Sequence, residues 1–221
     1  MAKQTTKATK ETTKADINKL SKIYDKDYYE NGIATNKSNY VNYSWDRLEK
    51  YFQRTANYIK EVFSPATVLD VGCAKGYLVK ALTELNIDAK GIDPSKYAIS
   101  EADEDIKDLL QNDIVQAIKH DDNSFDLVTC FDVMEHIPEK DIDKAINEML
   151  RITKKWLVIR LVTKRIDNDI DNSHETIHEK EWWHERITKA GGIIEPAENY
   201  TNKAVWWFNV SEFLIIVRKA V

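Results

Sequence analysis

The residues best suited to chemistry in this 221-residue chain are a set of acids, a glycine-bounded turn and three histidines. Asp70 lies inside the apolar run Val68, Leu69, Val71 of T-V-L-D-V-G-C-A-K-G, which breaks at Gly72 and passes through small residues to Gly76. Such a turn presents backbone amides, and its glycines let a ligand approach the main chain closely. Asp93 follows about twenty residues after Gly72, ending I-D-A-K-G-I-D, where a carboxylate can accept from both ribose hydroxyls. Each acid taken alone is equally well read as a cap or turn residue. Strand, glycine turn and acid together imply a nucleoside-bearing cofactor. His136, His174 and His178 are the candidate bases for an acceptor proton.

The turn discriminates among nucleoside cofactors. The NAD pattern G-x-G-x-x-G is absent, because Gly72, Ala74 and Tyr77 occupy its glycine positions. A tyrosine at the third would obstruct the close helix–strand packing that pattern needs. Asp70, within the strand, repels a pyrophosphate but suits a cationic amino group. A P-loop is excluded because G-x-x-x-x-G-K-[ST] does not occur.

The elements that must position these groups follow from periodicity. Thr67 to Val71 reads as a buried strand, and Leu78, Ala81, Leu82 and Leu85 give the next segment a helical face. Ile87–Asp93, Ile106–Asp113, Phe125–Asp132 and Trp156–Val162 read as further strands, with a short strand near Ile193 and a last one at Phe213–Val217. Helices are expected at Trp45–Phe63, ended by Ser64-Pro65, from Pro94-Ser95 through Ala102, at Lys140–Ile152, and at Glu179–Ala190, stopped by Gly191-Gly192. Ile23–Trp45, rich in tyrosine and asparagine, reads as an irregular aromatic segment. Met1–Asp16, dominated by lysine and threonine, reads as disordered. Alternating strand and helix indicates one α/β domain with a parallel sheet and crossover helices, from residue 67 to 221, preceded by an aromatic segment and helix at 17–66 expected to cover the cofactor site.

Bulk properties narrow the function. With 43% hydrophobic and 31% charged residues and a net charge of −5, the chain is an ordinary globular protein without the basic footprint of a duplex nucleic-acid binder. Cys73 and Cys130 lie in or beside strands, so neither a disulfide framework nor a cysteine metal site is expected, and no metal is assigned. No apolar run approaches a membrane span and no secretory signal opens the chain, so a reducing cytoplasm is the expected compartment.

Taken together, V-L-D-V-G-C-A-K-G, G-I-D-P-S, Asn112-Asp113-Ile114 and S-F-D-L-V-T-C-F-D-V-M-E-H-I resemble the ordered blocks of class I S-adenosylmethionine-dependent methyltransferases. The resemblance implies a Rossmann-like doubly wound fold: a mostly parallel seven-stranded sheet with helices on both faces and an antiparallel final strand. It implies that Asp70 and the backbone of Gly72, Cys73, Ala74 and Gly76 hold the methionine part of S-adenosyl-L-methionine. Asp93 would take the ribose hydroxyls, Asp113 and the Ile114 amide would read adenine, and Phe131 and Asp132 would lie beside the cofactor. Ala74 departs from the family's usual middle glycine but is small enough for binding to survive.

Missing motifs limit the acceptor. The [N/D]-P-P-[Y/F] block of DNA amino-methyltransferases and the Pro-Cys pair of cytosine-C5 enzymes are absent, as are the paired glutamates of arginine methyltransferases. An O or N atom of a small molecule or saccharide-like acceptor remains, with S-adenosyl-L-homocysteine as by-product. His174 is the first candidate base. It lies with His178 in D-N-S-H-E-T-I-H-E-K-E-W-W, a segment resembling one in assorted bacterial and phage methyltransferases, though it is equally a surface cap for the helix after it. His136 either removes the proton or orients its own loop. Of the adjacent Trp182 and Trp183, one is expected on the sheet and the other at the pocket. Two other readings compete: a methyltransferase-fold binding protein without catalysis, and a modifier of nucleic acid or another macromolecule with the lysine-rich tail as tether.

Overall fold

The computed structural model describes residues 14, 16–164, 170–201 and 213–220. Nearly all of the Met1–Asp16 tail lies outside them. Among the described residues, seven strands form one sheet: β1 Thr67–Val71, β2 Asp88–Asp93, β3 Leu110–Asn112, β4 Phe125–Phe131, β5 Thr153–Arg160, β6 Gly192–Glu195 and β7 Leu214–Lys219. Their order is β3-β2-β1-β4-β5-β7-β6. β7 runs antiparallel to both of its neighbours, and the remaining pairings are parallel. The order reverses at β1, between β2 and β4, which puts the ends of those strands where ligands of doubly wound sheets bind. This is the Rossmann-like α/β fold expected from the sequence.

Alternation along the strands feeds two apolar layers. Leu69, Val71, Val128, Leu157 and Ile159 face one layer, where they meet Ile142, Ile146 and Met149 of helix α7 (Glu139–Ile152) and Trp183 and Ile187 of α8 (Lys180–Lys189). Val68, Leu127, Val158 and Ile216 face the other. There they meet Ile59 and Phe63 of α4 (Trp45–Phe63) and Leu78 and Leu82 of α5 (Tyr77–Glu84). Helix α4 stops where the sequence indicates: Ser64 turns left-handed at φ 44°, and Pro65 follows. Cys73 and Cys130 are buried free thiols, and burial pushes both well above the usual thiol range.

The segment before α4 departs from expectation. Residues 16–23 form helix α1, and the stretch read as irregular holds α2 (Lys26–Glu30) and α3 (Gly32–Thr35). Local capping makes these short helices: the Asp25 carboxylate accepts from the Tyr28 amide at 3.1 Å, and Asn36 closes α3 left-handed at φ 55°. Elements of five and four residues are too short to show a hydrophobic period. Their tyrosines form a third cluster: Tyr28, Tyr29 and Tyr43 pack with Tyr77 and Ala98, the last in helix α6 (Lys96–Ser100). Glu30 fastens this cluster to the sheet side, accepting from Lys75 at 2.5 Å and from the Tyr97 hydroxyl at 3.0 Å.

Candidate active site

At the carboxyl ends of β1, β2 and β4 lies a cavity of about 370 Å³. Its floor comes from the sheet: Asp70, Gly72, Cys73, Ala74, Asp93, and the Asp113–Gln116 segment after β3. Its remaining wall is largely aromatic, with Tyr24, Tyr28, Tyr40, Tyr51, Phe131 and His136, and also carries Asp132 and Arg160.

The turn after β1 is built to keep side chains out. Gly72 has φ 78°, and a Cβ there would stand 2.1 Å from Val133 Cγ2. Its amide and that of Cys73 donate to the Ile92 carbonyl at 2.8 and 3.1 Å, which curls the turn onto β2. Ala74 holds φ 50°, a left-handed conformation that glycine usually supplies. Gly76 also has a left-handed φ but is not part of the cavity lining. A Cβ on Gly76 would meet Leu110 and Ile106 at 2.6–2.8 Å, so this glycine serves packing between α5 and β3.

Among the described residues, four acids line the cavity, and the three on its floor differ in how far they are satisfied. Asp70 accepts from the Thr129 hydroxyl at 2.7 Å, and burial pushes its carboxyl up to about 7. Asp93 accepts from the Ala74 amide at 2.9 Å and the Ser95 amide at 2.7 Å; burial raises it to about 6. This carboxylate therefore ties the turn to the start of α6, a role its position alone did not reveal. Asp113 Oδ1 accepts from the Ile114 amide and pairs with Lys119, both at 3.0 Å, whereas its buried Oδ2 has no hydrogen-bond partner. An orphaned buried carboxylate oxygen on a residue that lines the cavity fits an amino-bearing ligand. The Ile114 amide, expected to read a ligand, is already engaged by Asp113.

The fourth acid of the lining, Asp132 at φ 56°, forms a forked pair with Arg160, whose guanidinium also reaches the Tyr51 hydroxyl and lies over the Tyr51 and Phe131 rings. Arg160 was not singled out in the sequence; the only signal is a cation closing the apolar run of β5.

The structure separates the three histidines. His136, in the 3₁₀ turn after β4, lines the cavity. His174 stands behind it, with ring centroids 4.7 Å apart, and is not in the lining. His178 pairs with Glu139 at 3.0 Å and stacks on Trp182 at 4.0 Å, outside the cavity. Neither tryptophan of the pair reaches the pocket. Trp183 is fully buried and donates to the His178 carbonyl, while Trp182 lies between His178 and Arg186. Adjacent positions on α8 point in different directions, and neither of these directions meets the cavity.

A Rossmann-like sheet with an acid-lined, glycine-floored cavity at its switch point defines the class I methyltransferase architecture. The chain belongs to the methyltransferase domain family, which it matches over residues 43–202. It is 30% identical over 82 residues to the ubiquinone biosynthesis O-methyltransferase of Paraburkholderia xenovorans, covering 33% of this chain and 34% of that protein. The chain thus spans about a third of the length of the curated relatives it matches. In fold it is similar to a SAM-dependent methyltransferase from Archaeoglobus fulgidus, with a TM-score of 0.61, 19% identity and coverage of 77% of this chain and 94% of that one. It is also similar to magnesium protoporphyrin IX methyltransferase from Synechocystis PCC 6803 with bound SAM, with a TM-score of 0.60, 14% identity and coverage of 90% and 97%. Among the described residues, no helix is long and apolar enough to cross a membrane.

Proposed function

We propose that this methyltransferase acts on a hydroxyl oxygen of a small planar aromatic acceptor, with His136 as general base. The observation that carries this reading is the cavity's division. One side offers buried acids and a turn of small residues; the other offers mainly aromatic rings, with one imidazole, His136, and the Asp132–Arg160 pair. When bound, S-adenosyl-L-methionine supplies an electrophilic methyl group on a positively charged sulfur. The buried carboxylates of Asp70 and Asp93 suit its cationic and ribose parts, and the Asp113 Oδ2 atom suits its adenine amino group. With the methyl already activated, the chain's work is to align the acceptor and take its proton. Burial holds His136 below the usual histidine range, so it is neutral and able to accept. His136 rather than the first candidate, His174, is favoured because His136 lines the cavity, whereas His174, with its ring centroid 4.7 Å away, is not among the lining residues. The O-methyltransferase relatives favour oxygen over nitrogen as the acceptor atom.

The test is transfer of labelled methyl from the cofactor to 3,4-dihydroxybenzoate and to its amino analogue. Phenols are expected to be labelled, and His136→Ala to lower kcat by roughly 10²-fold or more while cofactor affinity is retained. Preferential labelling of the amine, or full turnover by His136→Ala, overturns the reading.

A further inference from the structure

The imidazole of His136 ends a chain of hydrogen bonds whose direction can be worked out proton by proton. Asp171, buried in the loop after β5, accepts at Oδ2 from the Tyr28 hydroxyl of α2 at 2.9 Å. At Oδ1 it accepts from the Ser173 amide at 2.9 Å and from the Ser173 hydroxyl. An ionised carboxylate has no proton to give, so the Ser173 hydroxyl spends its single proton on Asp171. Toward His136 Nδ1, 2.9 Å away, Ser173 Oγ is then an acceptor only. With Ser173 Oγ accepting, the ring proton lies on Nδ1 and the lone pair on Nε2. The other groups around the ring are the Ser173 backbone, His174 and the edge of Tyr24, with centroids 5.9 Å apart, whose hydroxyl also hydrogen-bonds the Ser173 side chain. Glu135 closes the set: one donor atom each from Glu135, His136 and His174 lies within 4.8 Å of the others, and Asp132 adds negative charge nearby.

We propose that Asp171 and Ser173 are positioning residues that lock His136 in its Nδ1–H tautomer, so that Nε2 receives the acceptor's proton. This rests on the reading of His136 as base. In the step itself, the acceptor oxygen forms its bond to the methyl carbon and the carbon–sulfur electron pair stays on sulfur. The hydroxyl proton passes to Nε2. The resulting imidazolium is stabilised through Ser173 by the Asp171 carboxylate. Tyr28 adds a third donor to that carboxylate, so a residue of the N-terminal helices takes part in fixing the base.

Long-range proton–nitrogen correlation spectra of the labelled full chain, bound to S-adenosylhomocysteine near pH 8, read the tautomer directly. His136 is expected to show a protonated Nδ1 and a pyridine-like Nε2, with the signals assigned by their loss in His136→Gln. In Asp171→Asn the amide can donate to Ser173, whose proton then turns to Nδ1 and drives the ring to the Nε2–H form. That variant is expected to lose roughly a hundredfold in kcat on 3,4-dihydroxybenzoate while its affinity for S-adenosylhomocysteine is unchanged. Ser173→Thr should keep the wild-type tautomer and Ser173→Ala should lose its bias, which supplies the comparison if Asp171→Asn does not fold. An Nε2–H ring in the wild type, or the wild-type Nδ1–H tautomer retained in both Asp171→Asn and Ser173→Ala, overturns the proposal. A His136 pattern altered by EDTA would also do so, because a cation would then be holding the ring. Absence of turnover with intact spectra counts instead against the functional reading.

Discussion

Replacing Asp93 with Asn separates a ligand-binding acid from a structural one. The ionised carboxylate is buried and raised to about 6. Against an unfolded value of about 3.9, keeping it charged near pH 8 costs the fold about 3 kcal/mol. Asn removes that cost. It also points an amide N–H₂ at one of two backbone donors, Ala74 at 2.9 Å or Ser95 at 2.7 Å, which costs about 1–3 kcal/mol. The two terms nearly offset, so the ligand-free Tm should stay within about 4–8 °C of wild type. Binding has no such compensation. Losing two charge-assisted acceptors for ribose hydroxyls, at about 1.5–3 kcal/mol each, should weaken affinity by roughly 10²–10⁴-fold. Thermal melts of the free protein, paired with isothermal titration of S-adenosylhomocysteine near pH 8, measure both numbers. A large fall in Tm with affinity unchanged would show that Asp93 is a staple for the turn and nothing more.

Three further outcomes follow from the same geometry. Asp70 and Asp93 have folded values raised to about 7 and 6, so the folded state binds more protons than the unfolded one between about pH 4 and 7. The ligand-free protein should therefore gain stability as pH falls from 8 to 6 while cofactor affinity drops; melts and titrations that move in the same direction would contradict this. Gly72→Ala should destabilise by about 3 kcal/mol or more, since its Cβ meets Val133 Cγ2 at 2.1 Å and φ is 78°. In a double-mutant cycle with Val133→Ala, denaturant unfolding should show favourable coupling of about 1 kcal/mol or more; strict additivity would mean the clash is not what matters. Trp183→Ala should cost about 3–5 kcal/mol by the same measurement, and Trp182→Ala much less, because only Trp183 is fully buried.

The parts of the fold that were legible are those whose own residues dictate them. The runs Val68–Val71 and Phe125–Phe131, the apolar stripe of α7 and the stop at Ser64-Pro65 each specify their element locally, and each lies where it was expected. Helices α2 and α3 were not legible, because capping by Asp25 and Asn36 makes them without any hydrophobic period. The acids of the cavity floor were read from spacing, yet the two amides held by Asp93 depend on how the turn curls. The ranking of histidines needed tertiary information throughout. His136 meets Ser173 across 37 positions, and Tyr28 meets Asp171 across 143, separations over which no local pattern persists.

The placing of the strands also bears on how the chain behaves at high concentration. The long apolar strands β1, β4, β5 and β7 all lie inside the sheet with a neighbour on each side. The edges fall to β3, with three residues, and β6, with four. On β6 the Glu195 carboxylate is paired with Arg218 at 2.7 Å. Short edges, one ending in an acid, are poor templates for a strand from another molecule. Growth of the sheet between molecules is thus blocked at both sides by the same strand order that sets the cavity at its centre.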